Sequence, residues 1–489
     1  MTNYKTKQEV HNRAKEAVGK TIYEINNGAF VKPSKNSVGD AFEAWFGKTK
    51  DSESRPDMEE AGVELKATPY KKLKSGKFSA KERLVLNIIN YEKVALETFE
   101  ESSFLYKNNT IELAFYEYVK DKNRKDWKIE EAVLYEMKKN PVDYQIIKKD
   151  WEIIHKYIID GRAHELSESL TTYLAPCTKG KNANSMRKQP YSNIQAKQRA
   201  FSLKAGYMTS LLRKYVFGNE EIESIVKNPF EVKEKTIEEI VFATFKPYFG
   251  EKIDKLAAKY NINKKAKNYH NMIASAILNL KGKISQNESF PRVEEFEKAS
   301  IIVKTVKFNK NNVNKESMSF PAFSFKELDN EKWEDEEGNP QAEWHKFLLE
   351  ARFLLFIVKE ENNEEIFKGV KFFSMTEDEI NGPVKKVWED TVNKIRSGVE
   401  LTAKYKNDGS LWRIENNFIN KSDNLICHVR PHETFSDYRV NGKFADLLPS
   451  PIKWINRPKD VEKYSNQWMT KQCFWINNDY IKKQAEEFL

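Results

Sequence analysis

The sequence predicts an α/β protein in which a mixed sheet with flanking helices occurs twice. Strand-like runs alternate with amphipathic helical runs, an order that packs naturally as a sheet covered by helices. Several segments recur in the same order in the second half of the chain. The chain has 489 residues, which exceeds one ordinary core and favours two to three domains.

The first half contains the elements of one such unit. Ser37 can cap a short amphipathic helix, "VGDAFEAWFG", which ends at Gly47. A long amphipathic helix runs through Trp151 and ends at Gly161, a residue that can adopt the left-handed cap. Strands are predicted at 62–68, 83–91, 102–106, 111–119, 171–175 and 200–204.

The recurrence in the second half consists of five segment pairs in collinear order. They are "GKTIYEI" with "GEKIDKL", "VELKATPY" with "IIVKTVKF", "LAFYEYVK" with "FLLFIVKE", "DWEIIHKYIIDG" with "VWEDTVNKIRSG", and "RAFSLKAGY" with "QCFWINNDY". Collinear pairs indicate an internal duplication. The joint is predicted near residues 216–236, a polar stretch broken by Gly218 and Pro229, which gives domains of 1–225 and 226–489.

The composition narrows the class of protein. Lys and Arg number 82 against 73 Asp and Glu, a formal charge of +9 that leans toward a polyanionic partner. No run is long and apolar enough to span a membrane, and the polar opening is unlike a signal peptide. Three widely separated cysteines indicate neither a disulfide framework nor a zinc site. A cytoplasmic protein without a membrane partner is therefore expected.

Two "GKT" tripeptides raise the question of nucleotide binding. A phosphate-binding loop needs a further glycine five residues before the Gly-Lys pair, following a strand. Those positions hold Ala14 and Phe42, both in helical contexts. No nucleotide partner is predicted.

The strongest chemical signal is the stretch "PDMEEAGVELKATP". Because side chains on a strand alternate between faces, Glu64 and Lys66 point to the same side and Leu65 to the other. A turn before the strand would bring Asp57 beside Glu64, and paired carboxylates are ligands that Mg²⁺ prefers. With Lys66 close by, the cluster suits phosphodiester hydrolysis. The alternative is an exposed strand with ordinary ion pairs.

The second copy keeps the scaffold but lacks the acids. Ile302 and Lys304 align with Glu64 and Lys66, so the metal-binding carboxylate is replaced by isoleucine. Such a pattern predicts one active lobe and one inactive lobe.

The first copy contains, in order, the six segments "FEAWFG", "PDMEEAGVELKATP", "SSFLYKN", "DWEIIHKYIIDG", "TYLAPCTKGKNA" and "AFSLKAGY". Together these segments resemble the MutH family of PD-(D/E)xK nucleases. With its doubled length the chain is similar to the GATC-specific type II restriction endonucleases grouped with MutH. The resemblance implies two restriction-endonuclease-like lobes and Mg²⁺-dependent hydrolysis of double-stranded DNA at 5′-GATC, before the G.

The same resemblance assigns roles to residues of the first copy. It implies that Asp57 and Glu64 hold the metal and that Lys66 is the catalytic lysine. Glu43 resembles the acid on a helix that supports the metal site, and Lys107 resembles the additional lysine near the scissile phosphate.

DNA contacts are implied at Lys179, Lys204 and Arg430. The family's Arg-Pro pair, which reads DNA, is replaced in the first copy by Cys177-Thr178, with Lys179 retained after it. Lys204 lies in a segment that resembles the family's DNA-facing segment. The second copy keeps Arg430 before a proline, so Arg430 is a candidate base reader.

Three functions remain open at this point: a restriction endonuclease whose second lobe binds DNA as an effector, a mismatch-repair nickase, and a non-catalytic DNA-binding regulator. With a single set of acids, either two chains meet on the DNA or one chain cuts the two strands in turn. A monomer in solution that pairs on DNA is expected.

Overall fold

A computed structural model describes residues 4–29, 37–48, 54–73, 76–180, 182, 185–218, 222–282 and 290–489. The chain forms two compact units. The first comprises residues 1–247, 264–303 and 350–352, and the second comprises residues 248–263, 304–349 and 353–489. The structure therefore assigns residues 226–247 and 264–303 to the unit that contains the first copy. The predicted functional division at residue 225 stays a prediction.

The helices, in chain order, are α1 (Lys7–Lys15), α2 (Ile22–Ile25), α3 (Ser37–Trp45), α4 (Tyr91–Val94), α5 (Ser103–Asn108), α6 (Pro141–Ile159), α7 (Ala205–Tyr215), α8 (Glu231–Glu234), α9 (Ile237–Phe245), α10 (Ile253–Lys259), α11 (Tyr269–Ile277), α12 (Glu294–Ala299), α13 (Phe325–Asp329), α14 (Glu343–Glu350), α15 (Glu377–Glu379), α16 (Lys385–Ser397) and α17 (Asn478–Gln484). None of these helices is long and apolar enough to cross a membrane.

The strands are β1 (Glu64–Lys72), β2 (Phe78–Ala80), β3 (Leu84–Ile88), β4 (Thr110–Glu117), β5 (Ile129–Glu136), β6 (Leu174–Thr178), β7 (Met186–Gln189), β8 (Ser192–Lys197), β9 (Arg199–Leu203), β10 (Ile301–Phe308), β11 (Met318–Ala322), β12 (Arg352–Glu361), β13 (Glu364–Phe373), β14 (Glu400–Tyr405), β15 (Leu411–Asn416), β16 (Cys427–Arg430), β17 (Ala445–Leu447), β18 (Lys453–Asn456), β19 (Trp468–Thr470) and β20 (Cys473–Ile476).

The first unit is built around a mixed four-stranded sheet of order β2-β1-β4-β5. β1 and β4 are parallel, and both pair with their outer neighbours in the antiparallel sense. Leu65 is buried in a core that also contains Phe42 and Phe46 of the α3 region, as the strand period predicts. This core fixes α3 against β1, and the opposite side of β1 is left for the polar residues of the site.

Two further sheets complete the first unit. β3, β9 and β6 form an antiparallel sheet with β9 in the centre, and β7 pairs with β8 as a separate hairpin. The strand predicted at 102–106 is wrong, because Ser102 caps a helix there by accepting the backbone N–H of Leu105 at 3.1 Å.

Part of the sheet order of the first unit recurs in the second unit. Its sheet β11-β20-β16 is antiparallel and, like β3-β9-β6, has in its centre the one of its three strands that comes latest in the chain. β10, β12 and β13 form another sheet, and β14 lies between β15 and β18. The recurring order supports the predicted duplication, which remains a hypothesis.

Candidate active site

A tight turn brings the two predicted metal-binding carboxylates together. Met58 and Val63 exchange both backbone hydrogen bonds, so the chain reverses between Asp57 and Glu64. Gly62 occupies the turn with φ +64°, a conformation that glycine adopts without steric cost. The backbone N–H of Asp57 donates to Oε2 of Glu64 at 3.2 Å, and Oδ2 of Asp57 accepts the backbone N–H of Leu65 at 3.0 Å.

Two lysines converge on Glu64. Lys66 lies two residues further along β1, and its Nζ is 2.5 Å from Oε1 of Glu64. Lys107 comes from α5, and its Nζ is 3.6 Å from the same oxygen. Glu64 has 1% side-chain exposure, whereas Lys66 has 21% and Lys107 has 13%. Solvent or substrate can therefore reach the ammonium groups more easily than the carboxylate.

The end of α3 supplies two further charged groups. Gly47 has φ +74°, and the next residue, Lys48, donates its backbone N–H to the carbonyl of Glu43 at 3.1 Å. This is the left-handed glycine ending of a helix. It places Lys48 so that its Nζ is 2.5 Å from Oδ1 of Asp57.

Sequence reasoning missed Lys48, although one signal was available. Gly47 was expected to end the amphipathic helix, and the residue after a glycine cap turns back toward the last helical turn.

Burial and like charge act together on the acids. Burial, followed by the charge of Asp57, raises the pKa of Glu43, while Lys66 and Lys48 oppose the shift. Burial also raises the pKa of Glu64, and Lys66 opposes it more strongly than Asp57 adds to it. Glu43 is thus coupled electrostatically to Asp57 and Lys66, as a supporting acid would be.

The donor set fits a divalent metal of the magnesium type. Mg²⁺ is usually held by one or two carboxylates, with water and substrate phosphate completing the shell. Asp57 and Glu64 are two adjacent carboxylates, each neutralised here by an ammonium group. No group of three His, Cys, Asp or Glu side chains with metal-binding geometry occurs in the described ranges. Asp57 and Glu64 would therefore hold the ion, and Glu43 would act from further away.

The predicted DNA-binding residues of the first unit fall in different environments. Lys179 directly follows β6, is partly exposed, and donates its backbone N–H to the carbonyl of Gln198 at 2.9 Å. Lys204 lies in the interior with 0% exposure, and its Nζ donates to the carbonyl of Thr171 at 2.7 Å. Burial lowers the pKa of Lys204 to about 8. The position of Lys204 does not support the predicted contact with DNA, because β9 leads the chain into the core there.

Arg430 is exposed at the end of β16 in the second unit. Its guanidinium carbon lies 3.8 Å from the centroid of the Trp475 ring, and its carbonyl accepts the indole N–H of Trp475 at 3.0 Å. An arginine stacked on an aromatic ring is held in a defined orientation with its N–H edge available. Arg430, Lys421 and His428 line a shallow open pocket.

In the second unit, the lysine that aligns with Lys66 of the catalytic strand has different surroundings. Lys304 on β10 is partly buried, and its Nζ lies 3.3 Å from the carbonyl of Ser319 and 5.4 Å from the centroid of the Phe320 ring. Burial lowers the pKa of Lys304, and no carboxylate contributes to that shift. The strand thus lacks the arrangement of Asp57, Glu64 and Lys66.

Comparison with known proteins agrees with this geometry. The family model of the DNA mismatch repair enzyme MutH matches residues 46–150, the segment that contains Asp57, Glu64, Lys66 and Lys107. The type II restriction enzyme Sau3AI from Staphylococcus aureus is 68% identical over 493 aligned residues and is covered in full, as is this chain. The chain belongs to the MutH-like restriction endonuclease family. This membership confirms the predicted family and the mixed α/β fold class.

Proposed function

We propose that this protein is a type II restriction endonuclease that uses Mg²⁺ to cut both strands of double-stranded DNA at 5′-GATC, before the G. The observation that carries the proposal is the cluster of Asp57, Glu64, Lys66 and Lys107 at the start of β1. Two lysines converge on the one carboxylate of Glu64, at 2.5 and 3.6 Å. A structural ion pair needs one cation for each acid, so the second lysine favours phosphodiester hydrolysis over a structural role.

Each residue has a distinct part in the proposed chemistry. Asp57 and Glu64 would hold Mg²⁺, which polarises the phosphate and lowers the pKa of a bound water. Lys66 is the more exposed of the two lysines on Glu64 and would orient the attacking water. Lys107 would stabilise the negative charge that grows on the phosphate oxygens.

A plasmid digest tests the proposal directly. Supercoiled plasmid with several GATC sites should be cut on both strands in Mg²⁺, and the ends should begin with G of GATC. Chelation of the metal should abolish cutting. Nicks in one strand of hemimethylated DNA alone would instead identify a repair nickase, and binding without any cutting would identify a regulator. Family membership supports the restriction activity over both alternatives.

The second unit is proposed to bind a further DNA site as an effector. Arg430 supports this role, because its orientation on Trp475 leaves the guanidinium at the surface. A palindrome has two scissile phosphates, and only the first unit carries the acid pair. Binding of a second site would promote the pairing of two otherwise monomeric chains on DNA.

Arg430→Ala should weaken DNA binding by about 1–3 kcal/mol if the arginine contacts a guanine through two hydrogen bonds. Wild type should cut DNA with two sites faster than DNA with one, and the variant should lose most of that difference. Arg413→Ala is the matched control, since Arg413 also lies over a tryptophan but is paired with Glu415. Equal rates on both substrates in wild type, unchanged by Arg430→Ala, would reduce the second unit to structural support.

A further inference from the structure

The β7–β8 hairpin of the first unit exposes most of its side chains. Residues 186–188 are all exposed, as are residues 193–195. On β8, Ala196 is buried against the unit. Because side chains alternate along a strand, Asn193, Gln195 and Lys197 belong to the face opposite Ala196.

The hairpin is held firmly to the body of the unit. The buried Gln189 accepts the backbone N–H of Ala163 at 2.7 Å and donates to the carbonyl of Ile194 at 2.7 Å. Gly161 has φ +71°, and a Cβ there would lie 2.7 Å from the carbonyl oxygen of Tyr191. Only glycine permits this close approach. The exposed face is therefore presented by a fixed element.

The catalytic cluster is connected to the end of β3. Lys107, which contacts Glu64, is followed by Asn108, whose amide donates to Oδ1 of Asn87 at 2.8 Å. Asn87 is the penultimate residue of β3.

The base of the hairpin meets the same end of β3. Ile89, just after β3, donates its backbone N–H to the carbonyl of Arg199 at 2.9 Å. Tyr91 donates its hydroxyl to the carbonyl of Lys197, the last residue of β8, at 2.5 Å. The end of β3 is thus hydrogen-bonded on one side to the residue after Lys107 and on the other to the base of the hairpin.

The stretch of sequence that contains the hairpin carries only positive charges. No Asp or Glu occurs between Glu168 and Glu220, although acids are frequent elsewhere in the chain. Arg187, Lys188 and Lys197 lie on the hairpin itself. A positive stretch on the unit that carries the proposed nuclease site is complementary to DNA.

The turn of the hairpin carries an unfavourable residue. Pro190 and Tyr191 are the two central residues, and Tyr191 has φ +61°. Glycine or asparagine is favoured at such a position, since a Cβ is crowded there. Tyr191 is 72% exposed, so burial does not offset that cost. A strained, exposed aromatic residue indicates a role at the surface.

We infer that the β7–β8 hairpin enters the major groove of the DNA, where Asn193 and Gln195 read bases and Tyr191 contacts the duplex from the tip. This inference rests on the proposed function and names the reading element of its catalytic unit. The major groove admits a two-stranded β-ribbon, and Asn or Gln amides recognise adenine through two hydrogen bonds. The hairpin thereby supplies base readout where Cys177 is buried and unable to reach DNA.

The test uses the full chain and measures single-turnover cleavage of GATC and of a site in which both A·T pairs are replaced by G·C pairs. The double variant Asn193→Ala/Gln195→Ala should lower the rate ratio by about tenfold to a hundredfold. Gln145→Ala on α6 removes the same amide group outside the hairpin and should leave the ratio unchanged.

Tyr191→Gly separates a DNA contact from a structural role. The substitution relieves the backbone strain at φ > 0, so the melting temperature should stay level or rise, while cleavage of GATC should fall.

Lys188→Gln should weaken binding to specific and unspecific duplexes alike, because phosphate contacts carry no sequence information. The inference is overturned if the wild type prefers GATC and the double variant keeps the same rate ratio. It is also overturned if the variants differ from the wild type in self-association while their specificity is intact. If wild type shows no preference for GATC, the proposed function itself fails.

Discussion

Glu64→Gln is expected to abolish cleavage while leaving DNA binding largely intact. The substitution keeps the shape of a fully buried side chain but removes the negative charge that pairs with Lys66 and Lys107 and would bind the metal. Losing preorganised charge stabilisation of this kind costs on the order of a hundredfold or more in rate. Cleavage should be measured in Mg²⁺, and binding to a GATC duplex should be measured without divalent metal.

Two further variants make this experiment specific. Glu59→Gln changes an exposed acid on the same turn and should retain full activity. Glu43→Gln should slow cleavage less than Glu64→Gln, because Glu43 acts on Asp57 and Lys66 through its charge rather than through a contact. If Glu64→Gln cuts at the wild-type rate, the assignment of the site is wrong.

The catalytic strand was predictable because local patterns decide it. The period of two along β1 separates Leu65 from Glu64 and Lys66, and the turn residues before it bring Asp57 close. Predicted strands 62–68 and 111–119 correspond to β1 and β4, and the predicted helix 38–47 corresponds to α3. In each case the side chains of the element determine both its structure and its buried face.

Other features depend on contacts between distant residues. The run at 102–106 is as apolar as a strand, and only the capping hydrogen bond of Ser102 shows it to be a helix. From the sequence, Lys204 is expected at the surface. In the structure, the chain enters the core after β9, and Lys204 lies there beside Thr171. The β7–β8 hairpin lacks the alternation of a half-buried strand because most of its side chains face solvent.

The assignment of residues 264–303 to the first unit was also beyond sequence reasoning, because it depends on buried charges. Lys298 on α12 places its Nζ 2.8 and 2.9 Å from the two carboxylate oxygens of Asp143 on α6. Tyr207 also donates its hydroxyl to Asp143 at 2.9 Å. Burial alone would lower the pKa of Lys298. The charges of Asp143 and Glu294 together outweigh the effect of burial, so the pKa of the lysine is raised.

Lys298→Met should therefore destabilise the protein by about 3–5 kcal/mol, since removing one partner leaves a buried charge uncompensated. Burial already raises the pKa of Asp143, and the loss of Lys298, which opposes that shift, would raise it further. The carboxyl group would then take up a proton more readily when folded than when unfolded. A group with a raised folded pKa adds stability at low pH that is lost as the pH rises through that pKa. The deficit relative to wild type should consequently be smaller at pH 5 than at pH 8, as measured by urea unfolding of the full chain.

The double variant Asp143→Asn/Lys298→Met distinguishes a lost ion pair from lost packing. Removing both charges eliminates the uncompensated carboxylate, so the double variant should recover much of the stability. Lys156→Met, which breaks an exposed ion pair between Lys156 on α6 and Asp160 just after it, should cost less than about 1 kcal/mol. A double variant no more stable than Lys298→Met, with no dependence on pH, would contradict the ion-pair explanation. With the expected result, a chain cut at residue 225 would leave Asp143 without its cation, so residues beyond that boundary contribute to the stability of the nuclease unit.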